Sequence, residues 1–141
     1  MKILVIFYSY TNHTRELAQD KAKAENADVC EVKEIKPSGK LKTYTLGSFA
    51  AMKQKKAAIE PITADLNQYD KLIIMAPIWA GMQAPAMNNI LEMLPSGKEV
   101  EVILVSASGT SRAIENIRST VESKGCKLVK CEDVKYAGGH S

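Results

Sequence analysis

Three short segments of this chain carry residues with the chemistry to grip a ligand. The first, Ser9-Tyr10-Thr11-Asn12-His13-Thr14, sets hydroxyls, an amide and an imidazole within six residues, between an apolar run and a helical pattern. Unpaired backbone N–H groups and the positive end of a helix dipole accommodate a phosphate at such a place. The segment has no glycine and no GxxxxGK[ST] pattern, so it suits one terminal phosphate better than a triphosphate or a dinucleotide. Plain capping of a helix by Ser9, Thr11 and Thr14 is the other use of the same residues.

The second segment runs from Pro77 to Pro85 and holds Trp79, the chain's only tryptophan, followed by Ala80 and Gly81. A tryptophan just past a buried strand can wall a planar ring, or it can simply pack. The third, Ser106-Ala107-Ser108-Gly109-Thr110-Ser111, is small and polar and is a weak signal alone. A socket for phosphate, a wall for a ring and a polar rim together describe a site for a phosphorylated, ring-bearing cofactor.

Positioning these segments falls to a chain of alternating strands and helices. Continuous apolar runs over residues 2–8 and 71–76 predict strands buried on both faces, and residues 99–107, EVEVILVSA, predict a fourth strand whose partial alternation would turn Glu99 and Glu101 outward. The charged stretch CEVKEI, residues 30–35, predicts an edge strand, and residues 127–134 a fifth strand. Helical spacing appears over residues 14–27, in a stretch within 43–60 that Pro61 stops, from Pro85 to about Leu94, and over residues 111–123. Such an order predicts a parallel sheet with right-handed crossovers. Ligands then bind beyond the carboxyl ends of the strands, where strand order reverses, and all three segments fall at such ends.

Composition sets the limits. The 141 residues are one domain's worth, read here as a single domain over 1–141, with ordinary apolar and charged fractions of 45% and 25%. No apolar run is long enough to span a bilayer and no cleavage box follows the first strand, so a cytoplasmic protein is expected, with no membrane partner. Cys30, Cys126 and Cys131 fit neither a zinc knuckle nor a CxxC pair, and His13 and His140 are too few for a histidine-rich centre, so no metal site is expected. The net charge of +3 is concentrated: residues 36–60 hold six lysines against Glu60. This basic segment can attract an anion, but no aromatics interleave it, so nucleic acid is not expected.

On these residues the sequence resembles the flavodoxin family. The family's phosphate loop, roughly [ST]-x-T-G-N-T, is matched at Ser9, Thr11 and Thr14. Pro77, Trp79, Gly81 and Pro85 reproduce the P-x-W-x-G-x-x-x-P of short bacterial flavodoxin-like proteins, and Gly47 to Lys53 resemble their middle section. The resemblance implies a flavodoxin-like three-layer α/β sandwich with a five-stranded parallel sheet in the order 2-1-3-4-5, binding flavin mononucleotide (FMN). It places Ser9, Thr11, Asn12, His13 and Thr14 around the phosphate. Pro77, Ile78, Trp79, Ala80 and Gly81 would border the ring system, with Ser106, Ala107, Ser108, Gly109 and Thr110 at its other edge. Two departures stand out. Asn12-His13 replaces the usual Gly-Asn, and little sequence follows the fifth strand where relatives add a last helix. That second departure predicts a partly open sheet face, and self-association or a docked partner to cover it.

No paired carboxylates, Cys–His arrangement or activated serine lies near the three segments, so hydrolysis is disfavoured and no side chain is given a catalytic role. The chemistry would be the cofactor's. Electron transfer between FMN and a redox partner protein is the first expectation. The family's carriers are typically strongly acidic, however, and this chain has a pI of about 8.7. An NAD(P)H-dependent FMN or quinone oxidoreductase is the alternative, and a flavin-free interaction domain the third.

Overall fold

The computed structural model describes residues 2–8, 12–33, 59–60, 62–79, 82–83, 85–106 and 111–135, without side-chain detail at residues 12, 13, 79, 82, 83 and 85. Strand β1 (Ile3–Tyr8) leads to helix α1 (Asn12–Glu25) and strand β2 (Asp28–Val32). A 3-10 turn at Leu66–Gln68 precedes β3 (Lys71–Trp79), the two-residue β4 (Met82–Gln83) and α2 (Pro85–Glu92). Then come β5 (Glu99–Ser106), α3 (Ile114–Ser123) and β6 (Lys127–Lys135). The long strands are all parallel and lie in the order β2-β1-β3-β5-β6. Counted without β4, this is the expected order 2-1-3-4-5.

Because the middles of β1, β3 and β5 are apolar, both faces of the sheet are cores. Every residue from Leu4 to Tyr8 and from Leu72 to Ala76 is buried. On one face Val5, Phe7, Ile73, Met75, Ile103 and Val105 meet Ala18 and Ala22 of α1. On the other, Leu4, Ile6, Leu72, Ile74, Val102 and Leu104 meet Met87, Ile90 and Leu91 of α2 and Ile117 and Val121 of α3. A fully buried aliphatic side chain is worth about 1.5–3 kcal/mol, so these layers dominate the stability of the sheet.

Several boundaries differ from the sequence reading, each for a local reason. The edge strand is Asp28–Val32, two residues earlier than CEVKEI, because it pairs Leu4 to Tyr8 and β1 ends there. Helix α1 spans Asn12–Glu25 rather than 14–27; Asn26, at φ 53°, turns left-handed and stops it. Strand β3 runs through Pro77 to Trp79 instead of ending at Ala76. Proline is tolerated because pairing with β1 stops at Met75, leaving Pro77 opposite Val105 of β5 alone. Ile59 and Glu60, at the end of the expected lysine-rich helix, are not helical. The Glu60 N–H instead donates to the Lys33 carbonyl at 2.8 Å beside β2. The rest of that expected helix lies outside the described residues.

The α1 face also holds a charge. Glu101, expected to turn outward to water, is only 3% exposed. Lys71 Nζ lies 3.2 Å from its Oε1 and Lys21 Nζ 3.3 Å from its Oε2. Burial pushes the Glu101 pKa up, but the two lysines outweigh it and hold the carboxyl below its ordinary value. The open apolar face anticipated from the chain's end has no counterpart among the described residues. Ile103 and Val105 are buried, and the exposed large hydrophobics Val29, Met93 and Val129 are scattered. Residues 136–141 lie outside the described set. Among the described residues, no helix is long and apolar enough to cross a membrane.

Candidate functional site

Strands β1, β3 and β5 are neighbours, and their carboxyl ends meet along one edge of the sheet. From β1 the chain goes outward to β2, then returns to the far side of β1 to build β3. The edge between β1 and β3 is therefore where strand order reverses, the place at which open α/β sheets bind ligands.

The first segment begins where Tyr8 ends β1. Ser9, Tyr10 and Thr11 lie outside the described residues. Helix α1 starts at Asn12, so Asn12, His13 and Thr14 are its first three residues and not a loop before it. Their backbone N–H groups are among those with no carbonyl partner inside the helix. Thr14 is 1% exposed, which sets this turn firmly into the body of the protein. The first turn carries no acidic residue, so no side chain there repels an anion. Arg15 follows and is turned to β2, where its Nε and Nη2 donate to the two carboxylate oxygens of Glu31 at 3.2 and 2.5 Å. The pair offsets a cation beside the positive end of the helix dipole.

The second segment is more strand than loop. Pro77 is buried in β3, and Ile78 packs against the core on the α2 and α3 face. Trp79 closes the strand: Ile78 stands opposite Gln83 and Trp79 opposite Met82 in a short antiparallel pair. Ala80 and Gly81, between these two arms, lie outside the described residues. The backbone of Trp79 is thereby held by β4 at the carboxyl edge.

The third segment starts at Ser106, the last residue of β5, which is buried. Ala107, Ser108, Gly109 and Thr110 lie outside the described residues. Beyond them, Ser111 Oγ donates to Asp133 Oδ1 of β6 at 2.7 Å and accepts from the Ala113 N–H at 3.3 Å. Sequence reading did not single out Asp133. Its place follows from a bulge at Val100/Glu101, after which the β6 register shifts so that Asp133 stands opposite Leu104. Only an acidic residue near the end of the last strand could have signalled it.

The described parts thus gather the first turn of α1, the end of β3 and the end of β5 along one edge. An anion at the first turn of α1 would be met by backbone N–H groups that have no carbonyl partner inside the helix. The cysteines take no part in such a site. All three are free; Cys126 is buried, and burial, with Asp133 adding, pushes the half-buried Cys131 thiol up to about 11.

Residues 1–131 match the family described as NADPH-dependent FMN reductase. The chain belongs to this family. Solved structures place this family member in the flavodoxin-like fold. A flavoprotein from Lactobacillus acidophilus, in complex with FMN, is 21% identical over 92% of this chain and 91% of its own, with a TM-score of 0.76. A Bacteroides uniformis flavoprotein is 24% identical over 92% and 87%, with a TM-score of 0.77. Oxidised flavodoxin 1 from Bacillus cereus is 16% identical over 98% and 88%, with a TM-score of 0.59. No curated protein matches this FMN reductase family chain.

Proposed function

We propose that this chain is an FMN-dependent oxidoreductase that takes its electrons from NAD(P)H. The observation that carries the reading is the family match over residues 1–131. It moves the weight from the electron carrier expected first to the reductase. Two features of the chain support the move. Its pI of about 8.7 is unlike an acidic carrier's, and the lysines of residues 36–60 would attract a phosphate-bearing nicotinamide nucleotide.

In this reading the α1 N-terminus, with Ser9, Thr11, Asn12, His13 and Thr14, holds the FMN phosphate through backbone N–H groups and hydroxyls. Pro77 to Gly81, with Trp79 among them, border one side of the ring and Ser106 to Thr110 the other. The chemistry supplied by the bound cofactor is two-electron transfer: a hydride accepted from NAD(P)H, and its electrons handed to an acceptor. The protein's own part is to bind, orient and shield.

Titration of apo protein with FMN and with riboflavin tests the socket. About one FMN per chain is expected, bound at least about tenfold more tightly than riboflavin. Equal affinity would remove the phosphate contacts. Anaerobic mixing of the FMN-loaded protein with NADPH tests the electron source. Fast bleaching of the flavin's visible absorbance is the expected result. A loaded protein inert to both NADPH and NADH, yet reducible by a redox protein, would return the carrier reading, which the likeness to flavodoxin 1 favours.

A further inference from the structure

We propose that Asp133 is a positioning residue for the cofactor loop between β5 and α3, acting through Ser111. The proposal rests on the FMN reading above and adds to it a residue on the edge strand β6, outside the three segments.

The reasoning starts at the beginning of α3. Its N-cap position is Ala113, whose side chain has no acceptor to offer the first turn. Ser111 serves the N-cap residue itself: the hydroxyl accepts from the Ala113 N–H at 3.3 Å and gives its own proton to Asp133 Oδ1 at 2.7 Å. The hydroxyl is thereby used in both directions, and the carboxylate fixes which way it points. A hydroxyl donating to a carboxylate makes one of the stronger kinds of hydrogen bond. The anion also lies beside the start of a helix, where negative charge is favoured.

That arrangement sets one end of the connection from β5 to α3. Its other end, Ser106, is buried in the sheet and stands opposite Lys135, two residues beyond Asp133 on the same strand. Only residues 107–110 lie between these two fixed points. They are the four small residues assigned to the edge of the flavin ring. Strand β6 thus holds both ends of the ring-edge segment, one by strand pairing and the other by the Asp133–Ser111 bond. A small displacement of groups that meet a cofactor costs affinity and alters its electronics, and the supporting shell is what prevents it.

The alternative role for Asp133 is bracing α3 alone, and the two roles separate experimentally. The full-length protein would be prepared as Asp133→Ala, Ser111→Ala, the double variant and Asp133→Asn. Gly125→Ala serves as a stability control at the far end of α3. Gly125 has φ 77°, and an added Cβ there would sit 3.1 Å from Ser96 Cβ, so that variant strains the helix end without touching the loop. FMN affinity, midpoint potential and melting temperature would be measured for each.

Asp133→Ala and Ser111→Ala are expected to weaken FMN binding about tenfold each and to shift the potential in the same direction. The double variant should be no worse than either single change, because both break one connection. Asp133→Asn keeps an acceptor for Ser111 and should recover most of the affinity. Parent-like affinity and potential in Asp133→Ala, or an equal loss in Gly125→Ala at matched stability, would overturn the positioning role and leave the cofactor reading standing. A parent protein that takes up no FMN would instead overturn the cofactor reading itself, and this role with it.

Discussion

At the end of the sheet where the strands begin, polar side chains are spent on one another; at the end where they finish lie the segments that the proposed reading assigns to the cofactor. Near the starting end, the Lys2 N–H donates to Asp70 Oδ2 at 2.8 Å, and the Asp70 N–H returns to the Lys2 carbonyl. Lys98 Nζ reaches the Asn67 carbonyl at 3.0 Å, and Glu101 draws in Lys21 and Lys71 from α1 and β3. At the finishing end lie the uncharged N-terminal residues of α1, the β3–β4 pair and Ser106. The contrast teaches a division of labour. Glu101 and its two lysines tie α1, β3 and β5 together at one end, whereas at the other Arg15 is spent on Glu31 and the first turn of α1 keeps backbone donors without carbonyl partners inside the helix.

The largest expected effect breaks the charged end. Glu101→Ala leaves Lys71 and Lys21 facing a buried site without their anion, a loss of about 2–4 kcal/mol. The lower half of that range is favoured because the lysine side chains keep 24% and 17% of their exposure for Lys21 and Lys71 and can turn to water. Urea unfolding measures it. FMN affinity of the folded variant should stay within about threefold of the parent. A stable variant that has lost FMN would show that the two ends are not separate.

Acid sharpens the same point. The folded-state pKa of Glu101 lies below the ordinary value, since the lysines outweigh burial. Its contribution is therefore fully present above the unfolded pKa near 4.5 and is lost as pH falls from there through the lower folded value. The stability gap between the parent and Glu101→Gln should be constant at neutral pH and should narrow below about pH 4.5. A gap that narrows on raising the pH instead would assign the effect to another group.

Much of the sheet could be read from the chain because apolar runs such as LVIFY and KLIIM can only be buried on both faces. Boundaries were less legible where tertiary pairing decides them. Asn12 and His13 carry no apolar periodicity, so the first turn of α1 did not show. Pro77 reads as a stop, and only the end of β1 pairing at Met75 makes it a strand residue. Glu101 looked like an outward residue of an alternating strand; its partners are 80 and 30 positions away, at Lys21 and Lys71. Asp133 was hidden for a related reason, since the bulge in β6 decides whether it or Glu132 stands beside the start of α3. The site segments were recognised from residue type, whereas the residue that braces one of them depends on register.

The smallest effect tests the starting end at its surface. Tyr69 Oη donates to Asp28 Oδ2 at 2.9 Å, linking the turn before β3 to the first residue of β2. Lys2 Nζ sits 5.0 Å from the centre of the same ring. The bond to Asp28, with burial and the carboxylate's charge adding, holds the phenol above its ordinary pKa, so it remains a donor at neutral pH. Tyr69→Phe removes the hydroxyl and keeps the ring under Lys2, so the cation–π contact survives. Because the bond is exposed and water replaces it, the loss should be only about 0.5–1 kcal/mol in urea unfolding. FMN affinity should not change, since Tyr69 lies at the opposite end of the strands from the site. A larger loss would mean that the Tyr69–Asp28 bond holds β2 against the sheet. A loss of FMN affinity in this variant would mean that β2 carries strain from one end to the other, along the strand whose Glu31 holds Arg15 beside the α1 N-terminus.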